Sequence, residues 1–184
     1  MNFALILIIV ATIAVLYMIS IYNNLATLKV KIKEAWSQID VQLKRRTDLI
    51  PNLVETVKGY AQHEQEVFEN VTKARAALIG ATNPQEASQA NNQLSGALKS
   101  LFAVAEAYPE LKAQEGFVNL QKELSDTEDK VAYSRQFYNS VVRQYNEMTV
   151  AFPSNLFANL LGFGTEQFFE ASDAERAPIK VSFQ

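Results

Sequence analysis

One short stretch has residue types that suggest metal chemistry, His63-Glu64-Gln65-Glu66. In a helical HExxH motif, two histidines on one face hold zinc and the glutamate acts as general base. Here the second histidine is replaced by Val67, and the chain has one histidine and no cysteine. We therefore interpret His63 as a surface or interhelical hydrogen-bonding group. A hydrolase is the least favoured hypothesis, and we expect no catalytic residue, metal or cofactor.

A second polar cluster, Lys44-Arg45-Arg46-Thr47-Asp48, has the composition of an anion or partner site. Arginine presents several donors in a planar fork that matches a carboxylate or a phosphate. The same residues would also suit a solvated turn, where basic side chains offset the negative end of a helix dipole. Both interpretations stay open. The candidate contact residues are Lys44, Arg45, Arg46 and Asp48.

The overall composition argues against other classes of site. The 17 Lys and Arg residues are outnumbered by 20 Asp and Glu residues, whereas a nucleic-acid-binding domain is normally basic. The six glycines are scattered and form no phosphate-binding loop, and the single histidine has no nucleophile partner at a recognisable spacing. We therefore expect no nucleic acid as a partner, and the sequence offers no candidate for a phosphate-binding loop or a nucleophilic triad.

The N-terminal segment at residues 3–22, FALILIIVATIAVLYMISIY, is apolar and carries no charge. As a helix it would extend about 30 Å, the thickness of the hydrocarbon core of a bilayer. A signal peptide would need a basic start and small residues at a cleavage site, and a buried core helix would confine its apolar residues to one stripe. We predict a retained transmembrane anchor at residues 1–24.

The charges that follow this segment predict its orientation. Lys29, Lys31 and Lys33 come directly after the span and no charged side chain precedes it. Because loops rich in Lys and Arg stay cytoplasmic, we expect the N-terminus outside and the body in the cytoplasm, in preference to the periplasm. These three lysines are also the candidate contacts to lipid headgroups, each contributing about 1 kcal/mol at most.

The residues after the anchor have the periodicity of helices. Apolar residues recur at three-four spacing from Leu25 to Leu43, which predicts a helix continuous with the anchor. Pro51, with Asp48 as N-cap, is expected to start a second helix that Gly80 closes. The run from Thr82 to Glu86 then has the pattern of a helix start, and Pro109 ends the third helix.

A fourth helix repeats strictly at seven residues over five heptads, which requires partner helices at a shallow crossing angle. Its apolar stripe consists of Phe117, Leu120, Leu124, Thr127, Val131, Ser134, Tyr138, Val141, Tyr145, Met148 and Phe152. The predicted fold is all-α, with a transmembrane helix followed by an elongated antiparallel four-helix bundle at residues 25–153. The alternative is three longer helices, with a kinked helix that continues across Pro51.

The C-terminal tail, residues 154–184, differs in composition from the bundle. It is rich in aromatics, contains Gly162 and Gly164, and ends in an alternating stretch at residues 178–183 typical of an extended segment. We expect the tail to pack on the end of the bundle, or else to provide a docking surface for a membrane or partner. Its candidate docking residues are Phe157, Leu161, Phe163, Phe168 and Phe169.

Two long stretches of the sequence resemble the LemA family. They are AWSQIDVQLKRRTDLIPNLVETVKGYAQHE at residues 35–64 and FAVAEAYPELKAQEGFVNLQKELSDTEDKVAYSRQFYNSVVRQYNE at residues 102–147, followed by the closing PIKVSF. The resemblance implies an N-terminal membrane helix with a short outer N-terminus, a helical-bundle body and a place in the bacterial cytoplasmic (inner) membrane. It also implies a setting in envelope physiology or organelle membrane formation, and it supplies no catalytic residues.

Two functional hypotheses follow from these patterns. The favoured one is a membrane-tethered scaffold or adaptor that contacts another membrane protein or a second copy of itself, because tethering raises local concentration so that weak contacts suffice. The alternative is a membrane-tethered module that binds a peptide or an anionic ligand near Lys44 to Asp48.

Overall fold

The computed structural model describes residues 3–170, and this part of the chain is helical and contains no β-strand. The prediction of an all-α fold with an apolar N-terminal helix is confirmed. The extended segment predicted at 178–183 lies outside the described residues. The helices are α1 (Phe3–Lys58), α2 (Gln65–Ile79), α3 (Pro84–Glu106), α4 (Pro109–Lys112), α5 (Glu115–Val150) and α6 (Ser154–Leu160).

The described chain divides into two compact units, and α1 and α5 contribute to both. Of the described residues, the first unit, here called the N-terminal unit, contains Phe3 to Ser37 and Gln136–Gln167. The second, the central unit, contains Gln38–Arg135 and Phe168 to Glu170. Each unit has its own buried residues. Those of the N-terminal unit include Leu25, Ile32, Ala35, Tyr138, Val142 and Tyr145, and those of the central unit include Ile39, Leu53, Val71, Leu94, Leu101 and Leu124.

The helix boundary predicted at Pro51 is wrong. Helix α1 continues through Pro51 to Lys58, so that Asp48 lies inside a helix instead of capping one. The chain leaves the helix only between Gly59 and Glu64, before α2 begins at Gln65. The proline is tolerated because its ring is exposed, while the buried residues before and after it stay on one stripe. Those buried residues are Ile39, Leu43, Ile50, Leu53 and Val57.

The turn between α2 and α3 has the capping pattern that the sequence predicts. Gly80 follows α2, and the Asn83 side chain accepts a 2.9 Å hydrogen bond from the backbone N–H of Glu86. The Glu86 carboxylate in turn accepts hydrogen bonds from the backbone N–H and hydroxyl of Thr82. These bonds, the backbone one foremost, lower the pKa of Glu86, and Pro84 occupies the first turn. This reciprocal arrangement satisfies donors that a helix start leaves free.

The heptad stripe of α5 is buried along most of its length, as predicted. Every member from Leu124 to Tyr145 is buried, and Leu120 and Met148 are half-buried. The last member differs, because α5 ends at Val150 and Phe152 lies beyond the helix with 80% of its surface exposed. Pro153 therefore lies at the start of α6 and not at the end of α5.

Candidate membrane and partner surfaces

The N-terminal part of α1 presents apolar side chains on all its faces. Large side chains from Phe3 to Ile19 are exposed, and by length and composition this helix can cross a membrane. The first fully covered residue along the helix is Ile21, followed one turn later by Leu25. A helix that is apolar all round and not covered by its own protein is suited to hydrocarbon.

The three lysines after this segment lie on the exposed surface of α1. The Nζ of Lys29 lies 3.7 Å from Oε1 of Glu166, in the tail. Both side chains keep substantial contact with solvent, so this ion pair contributes little to stability. Lys31 and Lys33 are exposed at the positions where the sequence predicts contact with lipid headgroups, which stays a prediction.

The structure separates Arg46 from the other members of the Lys44 to Asp48 cluster. Only 1% of Arg46 is exposed, and its guanidinium donates hydrogen bonds to Asn91 (2.6 Å), Ser95 (3.0 Å) and Glu128 (2.9 Å). Burial lowers the pKa of Arg46, and the charge of Glu128 opposes that effect. Arg46 was a candidate contact residue or part of a solvated turn, but it lies inside the central unit, where it joins α1 to α3 and α5.

The rest of the cluster is exposed. Lys44 and Asp48 face solvent, and Arg45 lies 3.7 Å from the carboxylate of Glu123 with both side chains about half exposed. With Arg46 directed inward, the outer surface retains two cations and one carboxylate. An anion or peptide site there stays a prediction with fewer donors than the sequence suggests.

The tail runs beside α1 and α5 within the N-terminal unit. Phe157 of α6 packs edge-on against Tyr17, and Phe163 packs against Tyr22, each with ring centroids 5.8 Å apart. Such edge-to-face contacts are favourable because the positive ring edge meets the negative ring face. Two of the predicted aromatic residues of the tail, Phe157 and Phe163, thus contact the C-terminal end of the apolar segment.

Two side chains of α5 bind the backbone of the tail. The amide of Asn146 donates to the carbonyl of Glu166 (2.9 Å) and accepts from its N–H (2.8 Å), as a neighbouring strand would. The hydroxyl of Tyr138 donates to the carbonyl of Gln167 at 2.9 Å. Burial raises the pKa of Tyr138 to about 12, and the charge of Glu166 adds to the effect. These hydrogen bonds hold the tail backbone at residues 166 and 167, just after its last glycine, Gly164.

The remaining tail residues divide by exposure. Leu161 is half-buried, Phe168 is exposed and Phe169 is fully buried in the central unit. Next to Phe169, the carbonyl of Glu170 accepts a 2.6 Å hydrogen bond from the Ser88 hydroxyl on α3. Of the predicted docking residues, Phe168 is therefore the most exposed, with 43% of its surface accessible to solvent.

The central unit also has a shallow groove between α2 and α3. It has a volume of about 640 Å³ and is lined by small residues from both helices and by polar side chains. Its lining includes Asn70, Ala74, Ala77, Gln93, Gly96 and Ala97. This groove was not predicted from the sequence. The small residues Ala77, Gly96 and Ala97 could have indicated it, because small side chains let another chain approach a helix closely.

The histidine motif has no metal-site geometry. His63 is exposed in the connection between α1 and α2, next to the half-buried Glu64. Among residues 3–170, no three histidine, cysteine or acidic side chains come together as a metal-binding group. Tyr138 and Asn146 of α5, by contrast, bind the backbone of the tail, a role that was not predicted from the sequence.

Comparisons with known proteins agree with this architecture. A model of the LemA family matches residues 35–183. The chain is similar to Protein LemA of Metamycoplasma hominis, with 28% identity over 187 residues, covering 98% of this chain and 84% of the relative. It is also similar to Magnetosome protein MamQ 2 of Paramagnetospirillum magneticum (27% identity) and to Magnetosome protein MamQ of Magnetospirillum gryphiswaldense (26%). Each of these two alignments covers 86% of this chain and 68% of the relative.

Proposed function

Because the chain belongs to the LemA family, we propose that it is a non-enzymatic scaffold or adaptor, anchored by one helix in the bacterial cytoplasmic membrane. In this proposal the central unit contacts another membrane protein or a second copy of the chain. The names of two relatives, both magnetosome proteins, support a role connected with membranes.

The observation that carries the proposal is the continuity of α1. One uninterrupted helix contains the exposed apolar segment, the buried stripe from Leu25 to Leu43 and the buried Arg46. A body that continues directly from a membrane helix stays at the membrane, where a partner is held at high local concentration, so that weak contacts suffice.

The orientation in this proposal has the N-terminus outside and the body in the cytoplasm. It rests on Lys29, Lys31 and Lys33, which follow the span. The absence of cysteine makes the test direct: Ser37→Cys introduces a single exposed thiol beyond the span. A membrane-impermeant maleimide should label this thiol in inside-out vesicles and leave it unlabelled in intact spheroplasts. Labelling in intact spheroplasts would place the body on the outer side.

The contact surface favoured by the structure is the groove between α2 and α3. A photo-crosslinking amino acid at Gln93, on the rim of the groove, should yield discrete adducts in native membranes. The matched control is the same amino acid at Asn119, an exposed position on α5. An adduct of twice the chain mass would identify a second copy as partner, and another discrete mass would identify a different protein.

Two results would contradict the scaffold proposal. One is a crosslinking pattern at Gln93 no different from that at Asn119, together with a monomeric protein after mild detergent extraction. The other is a turnover activity in the purified full chain that survives substitution of groove residues. The Gly96→Leu variant should fill the groove, because position 96 has open space for a side chain. Loss of the Gln93 adducts in this variant would support the scaffold proposal.

A further inference from the structure

The segment between α5 and the tail has an unusual surface. Four of its exposed residues are large and apolar: Val150 (63% exposed), Phe152 (80%), Leu156 (59%) and Leu160 (76%). Eighteen consecutive residues, 148–165, carry no charge. Leu156 and Leu160 are one helical turn apart and lie on the same face of α6. Soluble surfaces rarely expose this many large apolar side chains in one segment.

The position of this segment is defined by its contacts with α1. Phe157 packs on Tyr17, which precedes the end of the apolar segment at Tyr22 by five residues, or about 8 Å along the helix. Further along the chain, Phe163 contacts Tyr22 and Glu166 contacts Lys29. The chain from α6 to Glu166 therefore runs from the interior of the apolar segment toward its polar end and beyond.

The register of α5 agrees with this position. Trp36 and Tyr138 are in contact, with ring centroids 5.8 Å apart, and α5 continues for twelve residues from Tyr138 to Val150. At 1.5 Å per residue this is about 18 Å, which brings the end of α5 level with Asn24, just past the apolar segment. Helix α6 then lies beyond that level, alongside residues that the bilayer would surround.

We propose that α6 and the residues flanking it form a second membrane contact, which enters the same bilayer leaflet as the C-terminal end of the span. Phe152, Leu156 and Leu160 face lipid, while Phe157 and the buried Ala158 face the protein. The occupant of this face is lipid and not a soluble partner, because the face lies beside a segment that is itself apolar all round. Tyr17 and Tyr22 lie near the membrane interface, where tyrosine is commonly found.

The inference rests on the proposed membrane anchor and adds a second point of attachment. One helix in a bilayer leaves its protein free to rotate about the helix axis, whereas two contacts in one leaflet fix that rotation. After α6 the chain passes through Gly162, which has a positive φ of 76°, and reaches Glu166, which contacts Lys29 beyond the apolar segment. The contact would therefore orient the N-terminal unit relative to the membrane surface.

The test uses the full chain, which has no cysteine, with single thiols carrying an environment-sensitive fluorophore. The protein is reconstituted into vesicles of phosphatidylethanolamine and phosphatidylglycerol, with and without lipids brominated on their acyl chains. Leu160→Cys reports on α6, and Leu7→Cys reports on the span. The control is Gln136→Cys, an exposed position on α5 in the same unit.

Blue-shifted emission that brominated lipid quenches at both Leu160→Cys and Leu7→Cys, but not at Gln136→Cys, would support the proposal. Quenching at Leu7→Cys with none at Leu160→Cys would overturn the second contact and leave the anchor intact. Loss of quenching at both positions would overturn the anchor as well. Emission at Leu160→Cys that a spin-labelled second copy quenches, and brominated lipid does not, would assign this face to a dimer and overturn the lipid contact.

Discussion

The Nε of Arg75 on α2 donates a 2.8 Å hydrogen bond to the backbone carbonyl of Thr47 on α1. In an uninterrupted helix this carbonyl would accept from the N–H four residues later, but that residue is Pro51, which has no N–H. Thr47 is buried, so its carbonyl needs a partner from the protein. Arg75 replaces the missing donor, and this contact explains how α1 accommodates a proline in its interior.

This relationship predicts coupling between positions 51 and 75. Arg75→Met keeps the aliphatic stem but leaves the Thr47 carbonyl without its donor, and should lower the free energy of unfolding by about 1 to 3 kcal/mol. Pro51→Ala restores the helical N–H, so Arg75→Met should cost clearly less in that background. Thermal and chemical unfolding of the four proteins in detergent measures the coupling. Additive effects of the two substitutions would contradict this account.

A second prediction compares two glutamates on α5. Glu128 accepts a hydrogen bond from the buried guanidinium of Arg46, and Glu123 pairs with the exposed Arg45. Glu128→Ala should lower the free energy of unfolding by about 1.5 to 3 kcal/mol, because it removes a charged acceptor from a buried cation. Glu123→Ala should change it by less than about 1 kcal/mol. Chemical unfolding of both variants measures the difference, and equal costs would show that Arg46 does not depend on Glu128.

A third prediction concerns alkaline pH. Tyr138 has a pKa of about 12 in the folded chain, against an ordinary value of 10, so the unfolded chain loses this proton first. Its contribution to stability is therefore complete below pH 10 and falls as the pH rises from 10 to about 12, by up to about 1.4 kcal/mol per pH unit. Tyr138→Phe should show a shallower alkaline decline in unfolding free energy. Tyr133→Phe, at an exposed tyrosine, is the control and should decline as the unmodified chain does.

The fourth prediction uses two glycines with open space around them. A Cβ at Gly96, inside α3, or at Gly162, where φ is 76°, would meet no atom within 4 Å. Gly96→Ala should stabilise the chain by about 0.5 to 1 kcal/mol, because alanine loses less entropy in a helix. Gly162→Ala should destabilise it by about 1 kcal/mol or more, because an L-residue is strained at positive φ. Melting temperatures of the two variants should therefore shift in opposite directions, and equal shifts would refute the backbone explanation.

The helical periodicity, the α3 start and the exposed apolar segment could all be predicted from the sequence, because each depends on residues within a few turns. The stripe from Leu124 to Tyr145 follows a seven-residue repeat, and the Asn83 cap needs only Glu86, three residues later. The interpretation of Lys44 to Asp48 was less complete. Charge and spacing identified a basic cluster, but they did not distinguish an arginine on the surface from one in the interior.

The tertiary structure decided which of these local signals prevailed. Pro51 does not end α1, because a donor 28 residues from Thr47 replaces the lost hydrogen bond, and Arg46 is buried because Glu128 lies 82 residues away in sequence but adjacent in space. The sequence by itself determined where helices form and which faces are apolar, since those properties arise from neighbouring residues. Only the folded chain determined which polar groups are paired, because their partners come from distant helices.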